Sequence, residues 1–165
     1  MSQFVHTADY KHLETWIKEK GVTEIELLLP DMNGIIRGKV VPASRFLQGV
    51  KGRTLRIASS ILTVTMTGDY PEIPNDGDEG IQDPDCVLLP DAGSIRVAPG
   101  YRTPTAFVMT DAFSNNGSPI DIAPRRVLRR ILELYEGHGW EPIIAPELEF
   151  FLTAKNIDPD RKSVV

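Results

Sequence analysis

Asn33-Gly34 sits between two apolar-rich runs, Val22 to Leu29 (VTEIELLL) and Ile35 to Val41, inside the turn-forming string Pro30-Asp31-Met32-Asn33-Gly34. Asn-Gly between such runs is the strongest short-range hairpin signal, because it suits the tight turn that matches strand twist. The chain is therefore expected to place two strands side by side, with Pro42 ending the second. A helix is expected before them, from Thr7 to Lys20. His12, Leu13, Trp16 and Ile17 fall at helical spacing, Thr7 or Asp9 can cap the start, and Gly21 can end it.

Further along, Thr54 to Thr67 reads as one or two strands joined around Ser59-Ser60, and Gly68 to Asp85, rich in Gly, Pro and Asp, as a long exposed loop. Cys86 to Leu89 and Ser94 to Val97 read as a strand pair around Pro90-Asp91-Ala92-Gly93. Thr105 to Asp111 is a further strand, and Ser114 to Ser118 a turn. Ala123 to Glu136 is the clearest helix: Pro124 lies in its first turn, Gly137 stops it, and Val127, Leu128, Ile131, Leu132 and Tyr135 form one apolar face. Arg125, Arg126, Arg129 and Arg130 are expected on its solvated face. Trp140 to Ile144 and Leu148 to Leu152 are the last strand-like runs. No repeat is visible, and the composition shifts near Gly117 to Ala123. The pattern is α+β, with domains expected at 1–117 and 118–165.

Composition excludes some classes of function. The net charge of -5 comes without any Lys/Arg-rich run, which argues against a nucleic-acid partner. No apolar stretch approaches the ~20 residues that span a bilayer, and the first ten residues do not resemble a secretory signal. Cys86 is the only cysteine, so no intramolecular disulfide can form, as suits the cytoplasm. In a strand, Cys86 is expected as a small buried apolar residue.

The run that carries chemistry is Ala145-Pro146-Glu147-Leu148-Glu149-Phe150-Phe151-Leu152. In a strand, Glu147 and Glu149 would project to one face, ~7 Å apart, and Leu148 and Phe150 to the other. Two such carboxylates suit hard divalent cations or an acid/base pair. Two metals ~4 Å apart suit phosphoryl transfer. An exposed acidic strand face is the other explanation, against which the apolar neighbours Ile143, Ile144, Phe150, Phe151 and Leu152 weigh.

This run resembles the Pro-Glu-x-Glu-Phe motif that opens the catalytic domain of glutamine synthetases. Asp31-Met32-Asn33-Gly34 with Arg37-Gly38-Lys39 and Pro42 resembles the hairpin of that family's small β-grasp domain. Asp85-Cys86-Val87-Leu88-Leu89-Pro90-Asp91 resembles its Asp-x-Val-Leu-x-Pro-Asp segment, and Pro119 to Arg125 with Leu128 its Pro-x-x-x-x-Pro-Arg helix start. The resemblance runs from about Trp16 to Leu152. It implies a β-grasp-like N-terminal domain followed by the truncated beginning of the catalytic domain. It also implies a parent enzyme that uses ATP to phosphorylate the γ-carboxylate of glutamate, after which an amine attacks the acyl phosphate. Mg²⁺ or Mn²⁺ ions would be bound by Glu147, near the ATP phosphates, and by Glu149, near glutamate and amine. The parent would assemble as a ring-like homo-oligomer.

Two departures qualify the resemblance. Ammonia-using members carry an Asp-Gly-Ser-Ser-like segment, and its best counterpart here is Ile57-Ala58-Ser59-Ser60. Ile57 can neither take a proton nor attract ammonium, which favours the γ-glutamylputrescine or polyamine synthetase branch. The family's other metal ligands, its substrate-binding arginines and its ATP site would lie beyond Val165. The chain alone is then expected to be inactive, whether an excised piece, a domain product or the remnant of a disrupted gene. Two other readings stay open: a non-catalytic relative acting as a binding module, and a small α+β interaction domain with an acidic strand. His6, His12 and His138 are expected in structural or solvated roles. Ser59 and Ser60 read as turn residues, because no His and acid pair is placed to activate them. Arg37 and Lys39 are expected as an edge defence or, by resemblance, a subunit contact.

Overall fold

The computed structural model describes residues 10–70 and 83–152. Its elements are α1 (Tyr10–Glu19), β1 (Glu24–Pro30), β2 (Ile36–Pro42), α2 (Ala43–Gly52), β3 (Arg56–Ala58), a 3₁₀ turn (Ser59–Leu62), β4 (Asp85–Pro90), a second 3₁₀ turn (Ala92–Ser94), β5 (Arg96–Val97), β6 (Thr105–Phe113) and α3 (Pro124–Gly137). The caps expected at Thr7 and Asp9, His6 and most of the Gly68–Asp85 loop lie outside the described residues.

β6 is the hub of a mixed sheet. Its first half runs parallel to β1, with Glu24 opposite Thr105 and Leu28 opposite Met109. Its second half runs antiparallel to β4, with Val87 opposite Phe113. The order is β2-β1-β6-β4-β3, and β5 also pairs with β6. On β1, Ile25, Leu27 and Leu29 alternate inward, as a strand's period of two requires. They join Leu13 and Ile17 of α1, Phe46 of α2, and Cys86, Leu88 and Val108 in one buried cluster. Each such side chain contributes roughly 1.5–3 kcal/mol of burial. Among the described residues the buried apolar ones end at Ala123. Among the described residues no helix is long and apolar enough to cross a membrane.

Several expectations are corrected here. The hairpin forms, with Pro30 opposite Ile36, but Asn33 keeps a negative φ and only Gly34 (φ 78°) is left-handed. With Gly34 N–H donating to the Asp31 carbonyl and Asp31 N–H to that of Ile35, this is a three-residue loop closed by a left-handed glycine. α2 is absent from the expected elements, although its inward Ala43, Phe46 and Gly49 follow Pro42 at helical spacing. Gly49 lowers helix propensity, yet a Cβ there would lie 2.4 Å from Leu55 Cδ2. The expected strand at 54–67 shrinks to β3, because the chain coils at Ser59–Leu62. β4 and β5 do not pair with each other; both pair with β6. Trp140 to Ile144 and Leu148 to Leu152 form no strand: residues 141–152 are exposed and irregular, and no strand among the described residues pairs with them.

β2 approaches β1 closely at Gly38. Its φ is 150°, and a Cβ there would fall 1.6 Å from the Leu27 carbonyl oxygen. Gly34 is also left-handed but faces open space. Gly38→Ala is therefore expected to cost ~3 kcal/mol or more and Gly34→Ala about 1 kcal/mol, read as shifts of the urea midpoint. Equal costs at the two positions would contradict the β1–β2 register.

Candidate functional site

The hairpin turn is organised by Asp31, which is fully buried. One carboxylate oxygen accepts the N–H groups of Asn33 (2.8 Å) and Ile35 (2.9 Å), and the other accepts Arg37 Nε (2.9 Å). Burial pushes this carboxyl up, but the Arg37 guanidinium and the two backbone donors outweigh it and hold it below its ordinary value. Arg37, expected to defend the edge or meet another subunit, thus has an intramolecular role, and it also donates to the Thr65 carbonyl. Met32 N–H donates to Leu62 O and Asn33 Nδ2 to Val64 O. The hairpin is thereby tied to the segment that follows the Ser59–Leu62 turn.

Ser59 and Ser60 are not without an acid. Asp83, arriving from the far end of the 68–85 loop, accepts Ser60 N–H (2.9 Å), Ser60 Oγ (2.5 Å) and Ser59 Oγ (3.2 Å). The Ser60 hydroxyl and N–H hold its carboxyl below the ordinary carboxylate range. Beside them opens a cleft of about 390 Å³, walled by Asp83, Asp85, Asn115, Ile120 and Ile122. No linear motif announces this meeting, since the acid and the serines are more than twenty residues apart. Cys86 is buried as expected, and burial pushes its thiol up.

α3 overturns the expectation of a solvated arginine face. Arg125 donates from Nε to Asp111 Oδ1 (2.8 Å) and from Nη2 to Asp91 Oδ2 (2.7 Å), and Arg129 Nη2 reaches Asp111 Oδ2 at 2.8 Å. Burial lowers the Arg125 pKa, but Asp111 and then Asp91 raise it further, so the net direction is up and the guanidinium stays charged. Arg126 and Arg130 approach Asp121 at 3.8 and 3.9 Å, and only Arg130 is mostly exposed. The expected apolar face is the outward one: Val127, Leu128, Ile131, Leu132 and Tyr135 are all exposed. His12 lies exposed on α1, and His138 stacks on Trp140 with ring centroids 4.9 Å apart.

Glu147 and Glu149 lie in the irregular segment after α3, both exposed. Among the described residues no group of three His, Cys, Asp or Glu side chains is gathered for a metal. As donors the two carboxylates fit a hard cation such as Mg²⁺ or Mn²⁺, but they supply only part of its usual six oxygens.

Residues 121–164, which include α3 and both glutamates, match the family model of the glutamine synthetase catalytic domain. The chain is 29% identical over 136 residues to γ-glutamylputrescine synthetase of Escherichia coli strain K12, covering 82% of this chain and 28% of that protein. It is 30% identical over 148 residues to glutamate–isopropylamine ligase of a Pseudomonas species, covering 86% and 31%. It is 31% identical over 132 residues to glutamine synthetase of Pyrococcus furiosus, covering 80% and 26%. This chain belongs to the glutamine synthetase family. It spans about three-tenths of the length of the relatives it matches. Its fold is also that of the GmaS–ADP complex, with a TM-score of 0.57 at 24% identity, covering 76% of this chain and 26% of that one.

Two segments that resemble glutamine synthetase motifs meet in space: Asp91, the last residue of the Asp85–Asp91 run, holds Arg125 of the Pro-Arg helix start. A third, the hairpin, depends on Asp31. Because the Asp31 carboxyl binds its proton less readily when folded, its stabilisation is complete above about 3.8 and is lost as the pH falls below that, through the folded value. Asp31→Asn is expected to lower stability at neutral pH and to flatten the acid limb of the stability–pH curve. Urea unfolding between neutrality and strong acid checks this, and an unchanged acid limb would contradict the assignment.

Proposed function

We propose that this chain serves in an ATP-dependent ligase that joins the γ-carboxylate of glutamate to an amine, with an alkylamine or polyamine preferred over ammonia. The observation that carries this reading is the similarity, over more than four-fifths of the chain, to ligases named for putrescine and isopropylamine. In this reading ATP phosphorylates the γ-carboxylate, and the amine attacks the acyl phosphate and releases phosphate. Glu147 would hold the Mg²⁺ or Mn²⁺ ion beside the ATP phosphates and Glu149 the ion beside glutamate and amine. Such ions neutralise the charge of the phosphoryl group in transfer. Residues 1–117 form the β-grasp-like domain and 118–165 begin the catalytic domain. Among the described residues the buried core ends at Ala123, a few residues beyond that boundary. The parent enzyme is a ring-like homo-oligomer.

The amine preference draws on two features of the serine turn. Ile57 cannot serve as a proton acceptor. Asp83 presents a carboxylate beside the apolar Ile120 and Ile122, a combination that suits an ammonium group on an alkyl chain. A second reading, a non-catalytic binding module, is favoured by the apolar Ile57 at the position where ammonia-using members carry an acid.

The test is amine-dependent release of ADP by the protein in its full genomic length, screened over ammonium, putrescine and short alkylamines. Turnover is expected with a primary alkylamine. Glu147→Gln or Glu149→Gln should lower kcat by about 10²-fold or more, and Asp83→Asn should raise the KM for amine more than that for glutamate. Silence with every amine would favour the binding module.

A further inference from the structure

β2 and β3 stand at opposite ends of the strand order, yet both, together with one face of α2, line a single hollow of about 250 Å³. Three of its lining residues are charged: Lys39 of β2, Arg45 of α2 and Arg56 of β3. All three are cations, and no acid lines the hollow with them, although the chain as a whole carries a net charge of -5. None of the three is in an ion pair among the described residues. Arg56 donates from Nη1 to the neutral Asn115 Oδ1, which leaves its charge uncompensated. Gln48 and Thr54 add neutral hydrogen-bonding groups to the lining.

The fold directs these charges to one place. Lys39 is paired with the buried Leu27, and directly opposed residues share a face of the sheet, so it projects on the side where α2 packs. Arg45 lies in the first turn of α2, which has neither an acidic residue nor a side-chain cap. A cation is disfavoured there by the helix dipole. Gly49, one turn later, admits the Leu55 side chain so closely that a Cβ would lie 2.4 Å from Leu55 Cδ2. That approach brings the α2 face bearing Arg45 against the start of β3, where Arg56 follows Leu55.

We propose that the hollow between β2, α2 and β3 is a binding site for a small phosphoryl anion, of the size of phosphate or diphosphate, held by Lys39, Arg45 and Arg56. A concave surface lined by one sign of charge concentrates the opposite ion. Guanidinium groups match the paired oxygens of a phosphoryl group, and a lysine adds a point charge. The volume lies below the roughly 300–1,000 Å³ of pockets for larger organic ligands, which favours a compact anion. An inward charge on an end strand can also serve to discourage pairing with another chain. That explanation covers Lys39 alone and leaves Arg45 and Arg56, from two other elements, without a reason to meet it.

The test titrates pyrophosphate into the whole 165-residue chain at fixed ionic strength, which holds screening constant, and follows the amide NMR shifts. Saturable shifts are expected at Gly49, Thr54 and Leu55, and none at Val108 in β6. Lys39→Gln and Arg45→Gln should each weaken binding about tenfold, and Arg45→Lys, which keeps the charge without the fork, should fall between. Lys39 and Arg45 are exposed, so the urea midpoint should stay where it is and show that lost binding is not lost fold. Lys51→Gln removes a charge from α2 outside the hollow and should leave the affinity unchanged. ADP is titrated in parallel: binding as tight as that of pyrophosphate, with the same shifts, supports the site and extends it to the phosphate tail of a nucleotide, while weaker binding supports it as a site for the free anion. Absence of saturable shifts at millimolar pyrophosphate overturns the proposal. So does an equal loss of affinity in Lys51→Gln, which would mean diffuse attraction to a charged surface.

Discussion

A carboxylate buried without partners would cost several kcal/mol, so the hairpin exists in this form because Asp31 finds three donors within its own turn and strand. The consequences spread outward. With Asp31 fixed, Arg37 is aimed at Thr65, Asn33 at Val64 and Met32 at Leu62. Those carbonyls belong to the stretch that leaves the Ser59–Leu62 turn. The cleft beside Ser59, Ser60 and Asp83 therefore takes its shape partly from an interaction on a different strand pair. Cooperation of this kind makes a polar network costly to disturb at any one point.

The two ends of the molecule are held by different physics. From α1 to β6, alternating or helically spaced apolar residues converge on one core, and the sheet's ladders supply register. α3 docks its arginines on Asp91 and Asp111, while its aliphatic residues are exposed in the described part of the chain. Charge-assisted contacts are short-ranged and directional. They fix an orientation more sharply than they contribute free energy, whereas apolar burial does the opposite.

What was legible in the sequence follows the same division. Period-two alternation in Val22–Leu29 and helical spacing in Ala123–Glu136 report local geometry, and β1, the hairpin, α1 and α3 stand where those patterns put them, whereas the strand-like runs at 140–144 and 148–152 form no strand. α2 is hard to read in the sequence because Gly49, unfavourable in a helix, sits in it, and only the fold shows the Leu55 side chain packed close against that glycine. The β4–β5 pairing failed for a similar reason: proximity in sequence suggested a hairpin, while β6 offered both strands a longer partner. The pairing of the arginine face is not legible in the sequence because its partners, Asp91 and Asp111, lie 34 and 14 residues away from Arg125. Sequence shows a charge; only the fold shows which charge opposes it.

The acid-bearing segment illustrates how close such a balance can be. Glu147 and Glu149 alternate with Leu148 and Phe150, the pattern of a two-faced strand, yet Leu148 is 90% and Phe150 76% exposed. Ordering six residues costs roughly 6–12 kcal/mol at ~1–2 per residue. Burying Leu148, Phe150, Phe151 and Leu152 would return about 1.5–3 kcal/mol each, a sum of similar size. Neither term wins decisively, so a small further contribution decides whether the strand forms. A ladder partner could supply it, and so could a cation drawing the two carboxylates to one face. A metal that binds only the ordered form adds its binding free energy to folding. Alternating acids and large apolar residues is a composition in which strand formation and metal binding would reinforce each other.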